Sequence, residues 1–489
     1  MAEQVKPSER PNVVLIMVDQ WRGDCLSVAG HPVVHTPYLD QLALRGARFT
    51  CAYSATPTCI PARAALFTGL TQRSHGRVGY QDGVPWDYVT TLAGEFTRQG
   101  YQTQAVGKMH VYPERSQMGF QNVILHDGFL HFARRQSRNY DWVDDYNPWL
   151  REQLGRQADY FDHGVNCNSY VARPWDKDEY LHPTTWVVSQ SIDFLRRRDP
   201  RKPFFLFMSF HRPHPPYDPP AWAFEMYADT PMPSVPVGDW VDILSPWAEP
   251  RRPDCFVDAI EPRLLQRARA GYYGHMTHID HQLNRFLEVL DEYGLGENTF
   301  ILFTSDHGEM MGDHHLFRKA YPYEGSAHIP MILAAPKGSH LIPRGEYRHV
   351  VELRDVMPTL LDCCGLEIPS EVEGQSFLPI AQGKEVPWRP YLHGEHTVFG
   401  QSLHYVTDGH QKYVWFSGNG HEQLFDLDHD PTECHDLAQD PSWQARLAEW
   451  RQILIRELDG REEGFTDGQR LIPGRPVHPC LSFLRHRSE

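Results

Sequence analysis

The sequence has no apolar run long enough to cross a bilayer, and it has no excess of positive charge. Its longest apolar runs, residues 13–18 and 204–210, are far shorter than the ~20 residues that a membrane helix needs. Lysine and arginine number 47 against 63 aspartates and glutamates, which gives a formal net charge of −16 at pH 7. This balance excludes the broad basic surface of a nucleic-acid-binding protein, so we expect neither nucleic acid nor a membrane as a partner.

Cysteine is also scarce, with nine in 489 residues, an odd number and no Cys-x-x-Cys pair. This usage excludes a disulfide framework. The first eleven residues are polar and lack the apolar core of a secretion signal, which predicts a cytoplasmic protein. The hydrophobic fraction of 41% is ordinary for a globular chain, and the length suits a large α/β domain with a smaller appendage.

Near-continuous apolar runs predict strands that are buried on both faces of a parallel sheet. These runs cover residues 12–18, 104–106, 204–210, 300–304 and 331–334. Helical patterns cover residues 39–45, 89–99, 184–197 and 264–293. The alternation predicts an α/β fold with a large mixed, mostly parallel sheet flanked by helices.

Charged and imidazole side chains follow four of these predicted strands. Open parallel sheets bind ligands beyond the carboxyl ends of their strands, so we expect these side chains to meet at one edge. They are Asp19, Lys108, His110, His211, His214, Asp306 and His307.

Near residue 386 the pattern changes from alternating strands and helices to short, hairpin-like strands. Strand-like runs at residues 404–407 and 412–416 flank the turn Asp408-Gly409, which is a hairpin signal. A third run at 423–427 and a helix at 442–458 follow. We therefore predict a catalytic α/β domain over residues 1–385 and a smaller α+β subdomain with an antiparallel sheet over residues 386–489.

One cysteine stands at the predicted start of a helix. Pro61 suits a first helical position, and the alanines, arginine and leucine after it favour helix. Cys59 is then at the helix N-terminus, where a thiol pKa falls and anions bind. The residues alone leave two alternatives open, a reactive cysteine and a buried structural one.

The segment from Cys59 to Arg63 matches the Cys-x-Pro-Ser/Ala-Arg signature of the formylglycine-dependent sulfatases, in the alkaline phosphatase superfamily. Further motifs across most of the chain resemble that family in the same order. They are Val18-Asp19-Gln20, Gly107-Lys108-Met109-His110, Pro213-His214-Pro215-Pro216, Ser305-Asp306-His307-Gly308-Glu309, Lys319 before Tyr323-Glu324-Gly325, and the tail at 424–427 and 430–433. The chain is identified as a member of this family, whose fold is the α/β architecture predicted above.

The resemblance implies a sulfuric ester hydrolase and a set of site residues. The implied catalytic residues are Cys59, Arg63, Lys108, His110, His214 and Lys319, and the implied metal ligands are Asp19, Gln20, Cys59, Asp306 and His307. Many family members carry Asp at the position of Gln20 and Asn at that of His307. The family implies one divalent metal, Ca²⁺ first, whereas the imidazole of His307 keeps Mn²⁺ and Zn²⁺ open.

The family's chemistry implies a role for each of these residues. A maturation enzyme would oxidise Cys59 to formylglycine, whose gem-diol attacks sulfur with one hydroxyl and expels sulfate through the other. Arg63 and Lys108 would hold and polarise position 59, and His110 would be the base for the elimination. His214 and Lys319 would bind sulfate oxygens and protonate the leaving oxygen, with His211 a weaker candidate.

Two alternatives remain open at this point. Gln20 and His307 also resemble the phosphonate monoester hydrolase and phosphodiesterase branch of the superfamily, whereas Lys108 and His110 favour a sulfatase. A non-catalytic anion-binding relative would keep Cys59 as a thiol. The substrate, an aryl sulfate, a sulfated sugar or choline sulfate, is open, and so is a homo-oligomer; a small sulfated molecule is expected.

Several other residues are candidates for the leaving-group pocket or for a further metal site. Tyr80, Trp86, Asp218 and Trp222 are candidates to shape the pocket, and Glu395 and His396 to reach it from the smaller subdomain. His314 and His315 suggest a metal site, but a loop leading to Lys319 is the favoured interpretation.

Overall fold

The computed structural model describes residues 9–128 and 140–485. The predicted polar N-terminal segment therefore lies, up to residue 8, outside the described residues. No α-helix in the described ranges combines the length and the apolar character that a membrane crossing needs.

The described residues contain fourteen strands and thirteen α-helices. The strands are β1 Asn12–Asp19, β2 Gly46–Phe49, β3 Ala52–Tyr53, β4 Gln102–Gly107, β5 Asn122–Leu125, β6 Phe204–Pro213, β7 Thr299–Ser305, β8 Met331–Ala334, β9 Gly345–Tyr347, β10 Val351–Glu352, β11 Leu392–Val398, β12 Gln401–Thr407, β13 Gln411–Phe416 and β14 Glu422–Asp426. The helices are α1 Pro37–Leu44, α2 Cys59–Thr68, α3 Gln72–His75, α4 Leu92–Arg98, α5 Tyr146–Leu154, α6 Pro183–Arg197, α7 Ala221–Ala228, α8 Pro262–Glu292, α9 Glu324–Ala327, α10 Val356–Cys363, α11 Leu378–Ala381, α12 Gln444–Glu457 and α13 Ser482–Arg485.

The central sheet has eight strands in the order β5-β4-β6-β1-β7-β8-β2-β9. All neighbours are parallel except that β8 runs antiparallel to β7 and β2. Alternate side chains of β1 enter two separate cores, Val14 and Ile16 on one face and Val13 and Leu15 on the other. Helices α6 and α8 cover the first face, and α2, α4 and α10 cover the second, which confirms the predicted large, mostly parallel sheet.

All five predicted strands of this sheet are present, and each of the four predicted helices agrees with an observed one within three residues at each end. Strands β2, β5 and β9 were not predicted. They have only three or four residues, and the longest apolar run among them is residues 123–125 of β5. Their place in the sheet depends on pairing with β8, β4 and β2 rather than on their own pattern.

The C-terminal strands form an antiparallel sheet in the order β11-β12-β13-β14. One face, with Tyr405 and Phe416, packs on Tyr53 and Tyr323 of the large domain. The other face packs on α12, where Trp450 lies in the core with Trp415. The hairpins and the helix confirm the predicted smaller α+β unit, while strand β11 was missed because it carries two histidines and a glutamate. The boundary at residue 386 stays a prediction.

Candidate active site

The register of the central sheet brings the polar strand ends together. Val18 of β1 lies opposite Ser305 of β7, so Asp19 and Asp306 emerge side by side. On the other side of β1, Asp19 pairs with Pro213, and the His214 amide donates to the Asp19 carbonyl at 3.1 Å. The predicted edge is therefore formed by the ends of β1, β6 and β7.

Strand β4 adds Lys108 to the same edge. Gly107 pairs with Ser209 of β6, and a Cβ at position 107 would lie 1.9 Å from the Ser209 carbonyl oxygen. Its φ of +98° is also a conformation that favours glycine. Only glycine fits there, and the turn directs the Lys108 amide to the Ser209 carbonyl at 2.9 Å.

Cys59 is the first residue of α2 and is buried. Its sulfur lies 3.3 Å from His307 Nε2 and 3.7 Å from Asp19 Oδ1. The predicted helix N-terminus is confirmed, but the helix begins two residues before the position expected from Pro61. Proline is tolerated throughout the first turn because those amides have no intrahelical acceptor.

Asp19 and Asp306 each have one carboxylate oxygen paired with a cationic side chain. Lys108 Nζ forms an ion pair with Asp19 Oδ2, and Arg63 Nε and Nη2 both lie 3.0 Å from Asp306 Oδ2. All four side chains are fully buried. The other oxygens, Oδ1 of each aspartate, lie 3.3 and 3.6 Å from His307 Nε2.

This donor set fits a divalent cation. One atom each from Asp19, Cys59, Asp306 and His307 lies within 4.8 Å of the others. His307 Nδ1 faces the Gly308 carbonyl at 2.9 Å, so this nitrogen carries a proton, and Nε2 faces Cys59 and the two aspartates. The two carboxylate oxygens suit Ca²⁺, whereas the imidazole suits Mn²⁺ or Zn²⁺ better.

Gln20 turns the chain out of β1 in a left-handed conformation, with φ of 73°. Its amide donates to Asp306 Oδ1 at 3.1 Å, and its carbonyl accepts from the Tyr272 hydroxyl at 2.6 Å. The side-chain oxygen accepts from Lys319 at 2.6 Å, and its nitrogen donates to Glu309. The structure thus places Gln20 beside the cluster, and its metal contact stays a prediction.

The charges of the site act on the Cys59 sulfur. Burial and the Asp19 carboxylate oppose a thiolate, but Lys108, Lys319 and His307 outweigh them and hold the pKa of the Cys59 thiol well below its usual range. Burial and the nearby Asp19 raise the pKa of Asp306. Burial lowers the pKa of Lys319 despite Cys59 and Asp19, which oppose that shift. The site therefore stabilises an anion at position 59.

The histidines of the site have different environments. Burial and Lys108 oppose protonation of His110, but contacts with Asp82 and Cys59 raise the pKa of His110 to about 9. His214 Nδ1 donates to the Pro215 carbonyl at 2.8 Å, and burial together with Lys319 lowers the pKa of its ring. His211 Nδ1 accepts a hydrogen bond from Arg212, and its ring packs on His214 at 5.0 Å.

A cavity of about 220 Å³ opens on Cys59. Its lining includes His214, Lys319 and, from the candidates for the leaving-group pocket, Tyr80 and His396. His396 Nε2 lies 2.8 Å from Thr58 Oγ1, next to the cysteine. The C-terminal sheet therefore contributes to this pocket, as its sequence predicts.

The other pocket candidates do not line this cavity. Trp86 is buried under the Arg77 guanidinium, Trp222 donates to Glu179, and Glu395 pairs with Arg461. Asp218 is fully buried and pairs with Arg212. His314 is also structural, because its ring accepts from the Gly238 amide and packs on Trp240. Each of these polar or aromatic groups is satisfied within the protein.

Sequence reasoning assigned no role to three groups that support the site, of which only Glu309 was part of a recognised motif. Ser209 Oγ accepts from Arg63 at 2.9 Å, Asp82 lies 3.4 Å from His110, and Glu309 accepts from Gln20. The one polar residue within the apolar strand Phe204–Phe210 was a usable signal for Ser209. Nothing in the sequence near Asp82 marks it.

The Asp218 cluster predicts a large effect on stability. Asp218 pairs with Arg212 at 2.9 Å and contacts His163 and His275 at 2.9 and 3.2 Å, all fully buried. Replacing Asp218 with alanine leaves the guanidinium buried without its carboxylate, so we expect a loss of about 3–5 kcal/mol of unfolding free energy. Denaturant titration measures this, with the exposed Asp178→Ala as control; equal midpoints would contradict the prediction.

An α/β sheet whose strand ends converge on a buried cysteine, two carboxylates and several cations defines the sulfatase class. The Sulfatase family model matches residues 11–366, and the model of the N-sulphoglucosamine sulphohydrolase C-terminal region matches residues 312–459. The chain belongs to the sulfatase family.

Individual relatives support this assignment. The chain is 51% identical to an arylsulfatase of Clostridium perfringens over 98% of this chain and 99% of that protein. It is 29% identical to a choline-sulfatase of Rhizobium meliloti over 92% and 87% of the two chains. The phosphonate monoester hydrolase of Agrobacterium radiobacter has a similar structure, with a TM-score of 0.76 and 27% identity over 91% and 95%. The protein is a sulfatase, an enzyme of sulfate ester hydrolysis.

Proposed function

We propose that the chain hydrolyses the sulfate monoester of a small molecule with formylglycine, made from Cys59, and one divalent metal. Asp19, Asp306 and His307 would hold the metal, with Gln20 and position 59 completing its shell. The observation that carries the proposal is the group of four buried side chains, Cys59 among them, whose donor atoms lie within 4.8 Å of one another. An unmodified thiol without a metal would not explain why two buried carboxylates lie beside it.

When bound, the metal supplies positive charge beside the ester oxygens, and the hydrated aldehyde supplies the hydroxyl nucleophile. Lys108 and Arg63 neutralise one oxygen of Asp19 and of Asp306 and leave the other for the metal. Arg63 also donates to the Lys108 carbonyl at 2.8 Å, which fixes the lysine relative to α2. These cations offset the repulsion between the anionic ester and the carboxylates.

His214 and Lys319, which line the cavity beside Cys59, would bind the sulfate oxygens. Burial lowers the pKa of Lys319, so it transfers its proton more readily than a lysine in water. Burial also lowers the pKa of His214, so its ring would act as an acid only once the anionic ester beside it stabilises the imidazolium. They are therefore candidates to protonate the leaving oxygen. His110, beside Asp82 and Cys59, is the candidate to accept a proton from position 59 during sulfate release.

Two measurements test this proposal before any assay of turnover. The protein is produced together with a formylglycine-generating maturation enzyme, and the peptide that contains Cys59 is weighed by mass spectrometry. Elemental analysis gives the metal and its ratio to protein, and so distinguishes Ca²⁺ from Mn²⁺ and Zn²⁺. An unmodified cysteine and no bound metal after this treatment would refute the proposal and favour a non-catalytic anion-binding protein.

A second candidate function is phosphonate monoester hydrolysis. The structural similarity to the Agrobacterium enzyme supports it, as do Gln20 and His307, which resemble that branch. Lys108 and His110 favour the sulfatase, because the phosphonate branch tends to have hydroxyl-bearing residues at these positions.

The pH dependence of sulfate release tests the role of His110. Asp82 stabilises the imidazolium, so Asp82→Asn lowers the pKa of His110 and leaves more of the neutral base at a given pH. We expect the rising limb of the kcat profile, measured with 4-nitrophenyl sulfate, to move toward lower pH by about one unit. The matched control is Asp87→Asn. A limb that stays in place would remove His110 as the base.

A further inference from the structure

The cavity beside Cys59 is cationic and partly aromatic. Two of its lining residues, Arg318 and Lys319, carry positive charge, and Tyr80 and Phe256 supply rings. No carboxylate stands among the described residues that line it. Lys319 donates a hydrogen bond to Gln20 within the site, whereas the proposed mechanism assigns no role to Arg318.

The backbone of Arg318 is firmly fixed. Its φ is +67°, its amide donates to Glu309 Oε1 at 2.5 Å, and its carbonyl accepts from the Met310 amide at 2.9 Å. Because Glu309 also accepts from Gln20, the loop that carries Arg318 is tied to the end of β1. The arginine is thus held in a defined place relative to Lys319 and Cys59.

Within residues 9–128 and 140–485, the guanidinium of Arg318 has no carboxylate partner. It lies over the Phe256 ring at 4.0 Å and makes one long hydrogen bond, from Nη1 to the Asp254 carbonyl at 3.4 Å. Its Nε is buried and has no hydrogen-bond partner among the described residues. Two acidic residues that contact Arg318 through backbone atoms are engaged elsewhere, Asp254 with Arg252 at 2.8 Å and Glu309 with Gln20 and with backbone amides.

A guanidinium has a planar set of N–H donors that matches the oxygens of a carboxylate or sulfate. A guanidinium in a binding cavity that is not paired with a carboxylate of the protein therefore favours binding of an anion. The same charge repels a cation such as the trimethylammonium group of choline. The ring of Tyr80 provides a face for a flat leaving group, whereas the ring of Phe256 carries the Arg318 guanidinium.

We propose that Arg318 forms an anion subsite for the leaving alcohol, so that preferred substrates are aryl sulfates with a second anionic group, a carboxylate or sulfate, on the ring. This inference rests on the proposed sulfatase function and names the substrate class of the same site. Arg318 is a specificity-determining residue and takes no part in bond breaking.

Matched substrates test the proposal in the matured protein. Kinetic constants are measured for 4-carboxyphenyl sulfate and for neutral 4-nitrophenyl sulfate, in the native protein and in Arg318→Gln and Arg318→Lys. We expect Arg318→Gln to raise KM for the carboxylated substrate by roughly tenfold to a hundredfold, because this is the effect of losing one hydrogen bond to a charged group. We expect KM for the neutral substrate to change by less than about threefold. Arg318→Lys restores part of the loss, and Arg252→Gln is the control on the neighbouring surface.

An equal loss for both substrates would overturn the proposal, because Arg318 would then only support the loop that carries Lys319. No loss for either substrate would overturn it as well. If Arg318→Gln does not fold, the proposal rests on Arg318→Lys, in which an unchanged preference for the carboxylated substrate contradicts a role for the planar set of N–H donors.

A binding experiment separates this inference from the proposed function. Calorimetry compares 4-hydroxybenzoate with 4-hydroxybenzamide, and neither ligand needs turnover. Preferred binding of the carboxylate, lost in Arg318→Gln, supports the subsite even if the protein hydrolyses no sulfate ester. Equal affinities for the two ligands would refute the subsite even if sulfate turnover is fast.

Discussion

Replacing Cys59 with alanine should abolish turnover of an aryl sulfate while the protein stays folded. The Cys59 sulfur lies 3.3 Å from His307 and 3.7 Å from Asp19, so position 59 is where the nucleophile and the metal would meet. Loss of a catalytic nucleophile lowers kcat by roughly 10⁴- to 10⁶-fold in enzymes that use covalent catalysis. We expect a loss of that size, measured with 4-nitrophenyl sulfate after production with a maturation enzyme.

The matched control is Cys434→Ala, a half-buried cysteine of the C-terminal unit. It should keep full activity and lose no stability beyond what a surface substitution costs. Circular dichroism and a thermal unfolding curve establish that the Cys59 variant is folded, since alanine is a good helix former at the start of α2. A folded Cys59→Ala protein with undiminished turnover would refute the role of position 59.

The second large effect concerns Asp306. Asp306→Asn removes the charge of one proposed metal ligand and weakens the pairing of Asp306 with Arg63, which contacts Asp306 Oδ2 at 3.0 Å. We expect the bound metal to fall from about one per chain to near zero. Loss of a residue that only hydrogen-bonds to a metal ligand lowers activity by roughly 10- to 100-fold, and we expect kcat of this variant to fall by more than that.

Elemental analysis of the purified variant measures the metal, and Asp239→Asn, on the surface, is the control. Excess metal in the assay should restore part of the activity if affinity is what was lost. Unchanged metal content would remove Asp306 from the ligands. Metal retained with activity lost would assign Asp306 to the orientation of Arg63 instead.

Much of the site could be predicted because parallel strands bring their carboxyl ends to one edge. Asp19 and Asp306 are adjacent since Val18 and Ser305 are in register, and any sheet that pairs these two strands this way brings them together. Cys59 could be predicted from its motif and from its position before a helix. These features depend on local sequence and on strand order alone.

The distribution of hydrogen bonds could not be predicted. Nothing in the sequence shows that Lys108 pairs with one oxygen of Asp19 and Arg63 with one oxygen of Asp306. The first contact depends on the order of β4, β6 and β1 in the sheet, and the second depends on how α2 packs on the sheet. The link from Gln20 to Lys319 spans 299 positions of the chain. Asp82 reaches His110 from a loop with no recognisable pattern.

The fold shows the same limit. Strands β1, β6 and β7 are buried on both faces and can be recognised in the sequence as apolar runs. Strand β11 mixes histidine and glutamate with apolar residues, yet it borders the cavity through His396. Short or mixed strands owe their structure to the partner that they pair with, which a single sequence does not display.

A paired kinetic assay tests the central claim most directly. The matured protein is given 4-nitrophenyl sulfate and, separately, the matching 4-nitrophenyl phosphonate monoester, and kcat/KM is measured for each. Our account predicts faster turnover of the sulfate, because Lys108 and His110 stand at the positions where the phosphonate branch tends to have hydroxyl-bearing residues. Faster turnover of the phosphonate would contradict it and assign the protein to the phosphonate monoester hydrolases, with Gln20 and His307 as the residues that decide.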